Sequence, residues 1–117
     1  MTDTRDITVG IKTFMRTPQL RLCLDSLRPL EWREVIVADD GPIDEERELL
    51  YQTFAEQMPL KLLRLPFDTG LAAGRNQIVQ QCDTPYLLML DDDQTVPANV
   101  GQLADIRVHL GQLGVAF

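Results

Sequence analysis

The sequence is short of positive charge: 11 Lys and Arg stand against 18 Asp and Glu, for a formal net charge of −7, and no run of Lys or Arg gathers what there is. Nucleic-acid binding draws on clustered basic side chains that neutralise phosphates, so this composition argues against a nucleic-acid partner. Cysteine is equally scarce. Cys23 and Cys82 show no paired spacing and no neighbouring His cluster, and both fall in helical patterns, which reads as two buried free thiols and a reducing, cytoplasmic setting. The N-terminal "MTDTRDITVG" is polar and has no apolar signal region. No apolar run approaches the ~20 residues of a membrane helix, so the sequence carries no membrane segment. Repeats and low-complexity linkers are absent too.

What is present fits one domain, residues 1–117, long enough to bury a core and short for an enzyme. An acidic protein that handles an anionic ligand needs a bridging cation or a local basic residue. Along the chain, strand and helix patterns alternate. "DITVGIKTF" (6–14) is a β-branched run, and "TPQLRLCLDSL" (17–27) is a helix with Thr17 as N-cap, Pro18 at its first position and Leu20, Leu24 and Leu27 at helical spacing. "REVIVADDG" (33–41) is a second strand, apolar from Val35 to Ala38. "DEERELLYQTFAEQM" (44–58) is a helix with acids in its first turn and an apolar stripe of Leu49, Leu50, Phe54 and Met58. "LKLLRL" (60–65) is a strand, "PFDTG" a loop, "LAAGRNQIVQQC" (71–82) a helix and "YLLML" (86–90) a fourth strand. "ANVGQLADIRVHL" (98–110) is expected to be helical, and "GVAF" to begin a fifth strand. This order predicts an α/β fold with a mainly parallel sheet and helices on both faces. Ligands of such sheets sit beyond the carboxyl ends of the strands, where Lys12-Thr13, Asp39-Asp40 and Asp91-Asp92-Asp93 all fall.

The triplet Asp91-Asp92-Asp93 is the hardest pattern to explain as ordinary surface. Acids after strands commonly cap helices or form turns, a reading that suits Asp39 and Asp40 before Gly41-Pro42. Neighbouring carboxylates, however, repel by about 1 kcal/mol in water and by a few kcal/mol when half-buried. If the chain stays extended, Asp91 and Asp93 project to one face and Asp92 to the other. Two acids on one face can grip Mg²⁺ or Mn²⁺, hard cations usually shared with substrate phosphates. "GLAAGRNQ" (70–77) adds Gly70 and Gly74 for close backbone approach and Arg75 as a planar fork for phosphate or carboxylate. A plainer role for Arg75 is pairing with Asp68 or Asp83.

Taken in order, "ITVGIKTFMRTPQLRLCLDSL", "VIVADDG" and "GLAAGRNQIVQQCDTPYLLMLDDD" resemble the nucleotide-binding half of inverting, family-two-like glycosyltransferases of the GT-A fold. The opening "KTF-R---L", then "ADDG", "LPF--G---GRN" and "DDD", look particularly like the ganglioside-type β1,4-N-acetylgalactosaminyltransferases, over roughly residues 7 to 96. The resemblance implies a UDP-sugar donor and a Mn²⁺ or Mg²⁺ ion. It places Thr13 and Phe14 beside the uracil, Asp40 as acceptor of a hydrogen bond from the base, and Arg75 near the diphosphate or bracing the acids. It makes Asp91 to Asp93 the "DxD" element, with Asp93 the first choice of metal ligand and Asp91 or Asp92 holding ribose or metal.

Such enzymes carry the acceptor site and the catalytic base after this element, where Gln94 to Phe117 remain. Asp105, in an expected helix, makes a poor base, and the single His109 suits a surface or packing role. The expectation is therefore an incomplete GT-A domain with no assignable catalytic residue, ending at Phe117 within an apolar strand. A homo-oligomer or a second chain would complete its sheet. The rival reading of another class is a non-catalytic nucleotide-binding or assembly domain. "MLDDDQTV" also resembles the nucleophile motif of haloacid-dehalogenase-type phosphatases, although that motif belongs on a first strand and this one sits on a fourth.

Overall fold

The structure, a computed structural model, describes residues 4–96. Four strands, β1 (Ile7–Thr13), β2 (Glu34–Asp39), β3 (Leu60–Arg64) and β4 (Tyr86–Asp91), alternate with three helices, α1 (Thr17–Leu27), α2 (Glu45–Ala55) and α3 (Leu71–Gln81). The sheet runs β3-β2-β1-β4 and every pairing in it is parallel. The expected α/β architecture is what forms. The stretches read as a fourth helix and a fifth strand, 98–110 and 114–117, lie outside the described residues.

Side chains alternate across a strand with period two, and here that sorts the core into two layers. Ile7, Val9 and Ile11 of β1, Val35 and Val37 of β2, and Leu88 and Leu90 of β4 pack with α1 and α2 through Leu20, Leu24, Leu27, Leu50 and Phe54. Ile36, Ala38 and Leu87 face the other way and pack with Ile78 of α3. Helix α3 lies so close to β1 that a Cβ at Gly10 would fall 2.5 Å from Ile78 Cγ2. The strand needs a glycine there for that reason.

Three local expectations change. Thr17 is the first helical residue of α1, not its cap; Arg16 occupies the cap position and its side chain makes no capping bond to the helix. Leu49 stands on the surface at 63% exposure, and the buried face of α2 is Arg47, Leu50, Tyr51 and Phe54. That stripe follows the spacing i, i+3, i+4, i+7 as a helix requires, but with an arginine as its first member. Cys82 caps α3 and is half-buried, whereas Cys23 is fully buried.

Candidate functional site: a cleft at the carboxyl ends of the strands

The same alternation splits each run of acids between the two faces of the sheet. At the end of β2, Asp39 continues the face of Val35 and Val37 and meets α2, while Asp40 continues that of Ile36 and Ala38 and meets α3. Asp40 accepts a 2.5 Å ion pair from Lys12 Nζ and a 2.8 Å hydrogen bond from the Gly70 backbone N–H. Gly70, at φ 100°, caps α3 in a conformation that suits glycine. Burial raises the Asp40 carboxyl, but Lys12 and the Gly70 N–H outweigh it and hold the group below its ordinary range.

Asp39 belongs to a second, wholly buried network. Its Oδ1 accepts from the Gly41 N–H at 2.9 Å, and its Oδ2 accepts from the Tyr51 hydroxyl at 2.6 Å and lies 3.4 Å from Arg47 Nη1. Arg47 Nη1 also donates to Thr13 Oγ1 at 3.2 Å, and Thr13 donates in turn to Asp92 Oδ2 at 2.8 Å. Burial, followed by the Asp39 charge, pushes the Tyr51 phenol well above its usual range, so it stays a hydroxyl.

The acid triplet is divided likewise, with one departure from the sequence reading. The strand does not continue through it. β4 ends at Asp91, and Gln94 closes a turn by donating its N–H to Asp91 O at 3.1 Å while its side chain accepts from the Asp91 N–H at 2.7 Å. Asp91 keeps the α3 face and pairs with Arg75 at 2.6 Å. Asp92 turns to the opposite face, is 0% exposed, and is paired by Arg16 Nη2 at 2.5 Å from Oδ1. The turn swings Asp93 away from Asp91's face toward Arg16 Nη1, 3.8 Å off. Asp91 and Asp93 keep about half of their side chains exposed, 47% and 53%. Arg75 thus braces the acids, and neither Asp68 nor Asp83 is its partner among the bonds seen. Each carboxylate of the triplet has an arginine beside it, which answers the repulsion that made the run conspicuous.

Beside these networks lies a cleft of about 390 Å³ lined by Lys12, Thr13, Phe14, Arg16, Asp40, Asp68, Gly70, Leu71 and Asp91. Phe14 meets Phe67 edge to face, with ring centroids 5.5 Å apart, and Phe67, Leu71 and Met15 leave much of their side chains exposed near its mouth. The cleft therefore has an apolar rim, a charged floor of Lys12 and Asp40, and an acidic end braced by arginines. Sequence reasoning grouped Lys12 with Thr13 but gave it no role, and it missed Arg16, Arg47, Tyr51 and Phe67. Lys12 was within reach: it is two residues from Gly10, hence on the α3 face. Arg47 was not, because an arginine in a highly acidic first turn reads as surface.

The profile of Glycosyl transferase family 2 matches residues 8–104. The chain belongs to this family. Relatives in sequence include human β1,4 N-acetylgalactosaminyltransferase 1, 34% identical over 115 residues that cover 94% of this chain and 20% of that protein. An uncharacterised glycosyltransferase of Haemophilus influenzae is 32% identical over 94 residues, covering 77% of this chain and 35% of that one. The chain thus spans about a fifth to a third of the length of these relatives. Among solved structures, residues 1–349 of S. aureus TarS in complex with UDP-GlcNAc superpose with a TM-score of 0.73 at 20% identity, over 96% of this chain and 32% of that fragment. The mannosyltransferase PcManGT of Pyrobaculum calidifontis, in complex with GDP-Man and Mn²⁺, gives 0.68 at 20% identity, over 83% of this chain and 31% of that one. The four-stranded parallel sheet with its flanking helices is the nucleotide-binding architecture of GT-A glycosyltransferases, as the motifs implied. Among the described residues, no helix is long and apolar enough to cross a membrane.

Proposed function

We propose that this family 2 chain is the donor-binding portion of a metal-dependent glycosyltransferase that takes a UDP-sugar and transfers its sugar to an acceptor. The observation that carries this reading is the cleft itself, whose lining brings together the aromatic Phe14, the Lys12 and Asp40 pair, and Asp91 of the acid turn. Phe14 offers a face for the uracil. The floor supplies Lys12 as a donor and Asp40 as an acceptor with lone pairs left for a base N–H. The N-terminus of α3 has no side-chain cap and no acid in its first turn, and it suits the diphosphate together with Arg75.

Asp91 and Asp93 are the oxygen ligands we assign to Mn²⁺ or Mg²⁺, with Asp92 buried behind them as the anchor of the turn. Among the described residues no three His, Cys, Asp or Glu converge on one point. The donor set fits a hard cation shared with substrate phosphates, not an all-protein cage. When bound, the ion would neutralise charge developing on the departing nucleoside diphosphate. Because relatives include N-acetylgalactosaminyltransferases and TarS holds UDP-GlcNAc, a UDP-N-acetylhexosamine is the first donor to try. The two free thiols suit a reducing compartment such as the cytoplasm.

The test is a melting experiment. UDP with Mn²⁺ should raise the Tm well above either component alone, and Asp93→Ala should remove the gain. No shift with any nucleotide would sink the proposal. Where UDP binds, an assay for UDP-sugar hydrolysis or transfer separates a transferase from a non-catalytic nucleotide-binding domain.

A further inference from the structure

Arg47 lies outside the cleft, 1% exposed on α2, yet its guanidinium is two hydrogen bonds from the acid turn. Each bond in that path has a direction fixed by chemistry. An arginine can only donate, so Thr13 Oγ1 must accept from Arg47, and its one proton is then left to point at Asp92 Oδ2. Tyr51 accepts from Arg47 at 3.2 Å and donates to Asp39 at 2.6 Å, so Asp39 holds the far end. The path joins four elements, β1, β2, α2 and the turn after β4, and Asp92 is held from its other side by Arg16. A buried ion pair of this kind is weak evidence of stabilisation, since a packed apolar cluster often does as well. Its place beneath Asp92, one hydroxyl away, points to a different use.

We propose that Arg47 is a positioning residue for the metal-nucleotide site, acting through the Thr13 hydroxyl to hold Asp92 inward so that Asp91 and Asp93 face outward. This rests on the donor-binding reading above. Asp92 is fully buried while its two neighbours are half-exposed. Release of Asp92 would let the turn reorient, and the two ligand oxygens would lose their setting. A rigid supporting shell of this sort governs how well the ligands that touch a metal are aligned.

The experiment measures UDP affinity by calorimetry, with and without saturating Mn²⁺, at a temperature well below the Tm of every variant. Thr13→Val keeps the shape of the side chain and removes the relay, whereas Thr13→Ser keeps the hydroxyl. Asp39→Asn/Arg47→Met removes the buried pair as a unit, so that no lone charge is left inside. Thr13→Val and the double variant should lose about tenfold in UDP affinity with Mn²⁺, a difference of about 1.4 kcal/mol. The double variant, whose two residues lie outside the cleft lining, should bind UDP without metal as the native chain does. Thr13→Val, at the cleft wall, should lose more with Mn²⁺ than without it, and Thr13→Ser should stay within about twofold throughout. If the double variant fails to fold, the two Thr13 variants decide. Native-like affinity with Mn²⁺ in a folded Thr13→Val protein would overturn the proposal, as would equal losses with and without metal, the mark of a merely structural role. Failure of the native chain to bind UDP with Mn²⁺ would instead remove the donor-binding reading itself.

Discussion

Lys12 passes directly beneath Gly74: a Cβ at that glycine would lie 2.4 Å from both Cδ and Cε of the lysine. The contact ties the third helix to the first strand at the floor of the cleft. A free lysine would simply swing aside, but this one is buried and held at 2.5 Å by Asp40. Gly74→Ala must therefore push against a tethered side chain. Alanine favours a helix over glycine by about 1 kcal/mol, while overpacking costs about 1–3 kcal/mol and displacement of Lys12 exposes Asp40 to the larger penalty of a broken buried pair. We expect a net loss by denaturant unfolding, up to about 2 kcal/mol from overpacking less the helix gain and more where the Lys12–Asp40 pair is broken. An unchanged or more stable Gly74→Ala protein would show that the tether is slack.

Gly10 presents the same question against a rigid neighbour. Its added Cβ would meet Ile78 Cγ2 at 2.5 Å, and no flexible chain end is available to give way. Gly10→Ala should destabilise by about 1–3 kcal/mol. Ile78→Ala alone should cost about 2–5 kcal/mol for the cavity. Combined, the two should cost clearly less than their sum, because the second change makes room for the first. Strict additivity would place the strain elsewhere.

Arg75 and Asp91 are both substantially exposed, and exposed pairs contribute little to stability. Arg75→Gln should therefore shift unfolding by no more than about 1 kcal/mol. Its effect belongs in binding: UDP affinity in the presence of Mn²⁺ should fall, and the fall should shrink as salt rises, because a charge contact to diphosphate is screened. A salt-independent loss would point to disturbed packing of the helix.

Alkaline pH should weaken the fold through Cys23. Burial, aided by the neighbouring Asp92 and Asp93 charges, pushes its thiol from 9.0 up to about 12. The unfolded chain then loses a proton that the folded chain keeps. Between those values each pH unit should remove about 1.4 kcal/mol of stability. Cys23→Ala should flatten that slope in a pH series of denaturant melts. Asp40 works at the other end: its lowered pKa means stability present above the ordinary carboxylate range near pH 4 and lost as acid protonates the folded group. A melt series that rises on acidification through that range would contradict the Lys12–Asp40 pairing.

The sequence by itself determined the order of strands and helices, the parallel sheet, and the gathering of Lys12-Thr13, Asp39-Asp40 and the acid triplet at one end. Those follow from local rules: hydrophobic period, turn residues, and the helical crossovers between successive strands that make the pairing parallel. It also held the split of Asp39 from Asp40 and of Asp91 from Asp92, because side chains alternate along any strand. Only the tertiary structure decided where that alternation stops. Gln94 closes a turn on Asp91, so Asp93 leaves the face that a continued strand would have given it. The burial of Arg47 was likewise undecidable from its neighbours, since three glutamates in the same turn mark the helix as solvated. An arginine becomes an interior residue only when partners from distant segments satisfy it, and Asp39, Thr13 and Tyr51 meet only once the sheet and the second helix have packed.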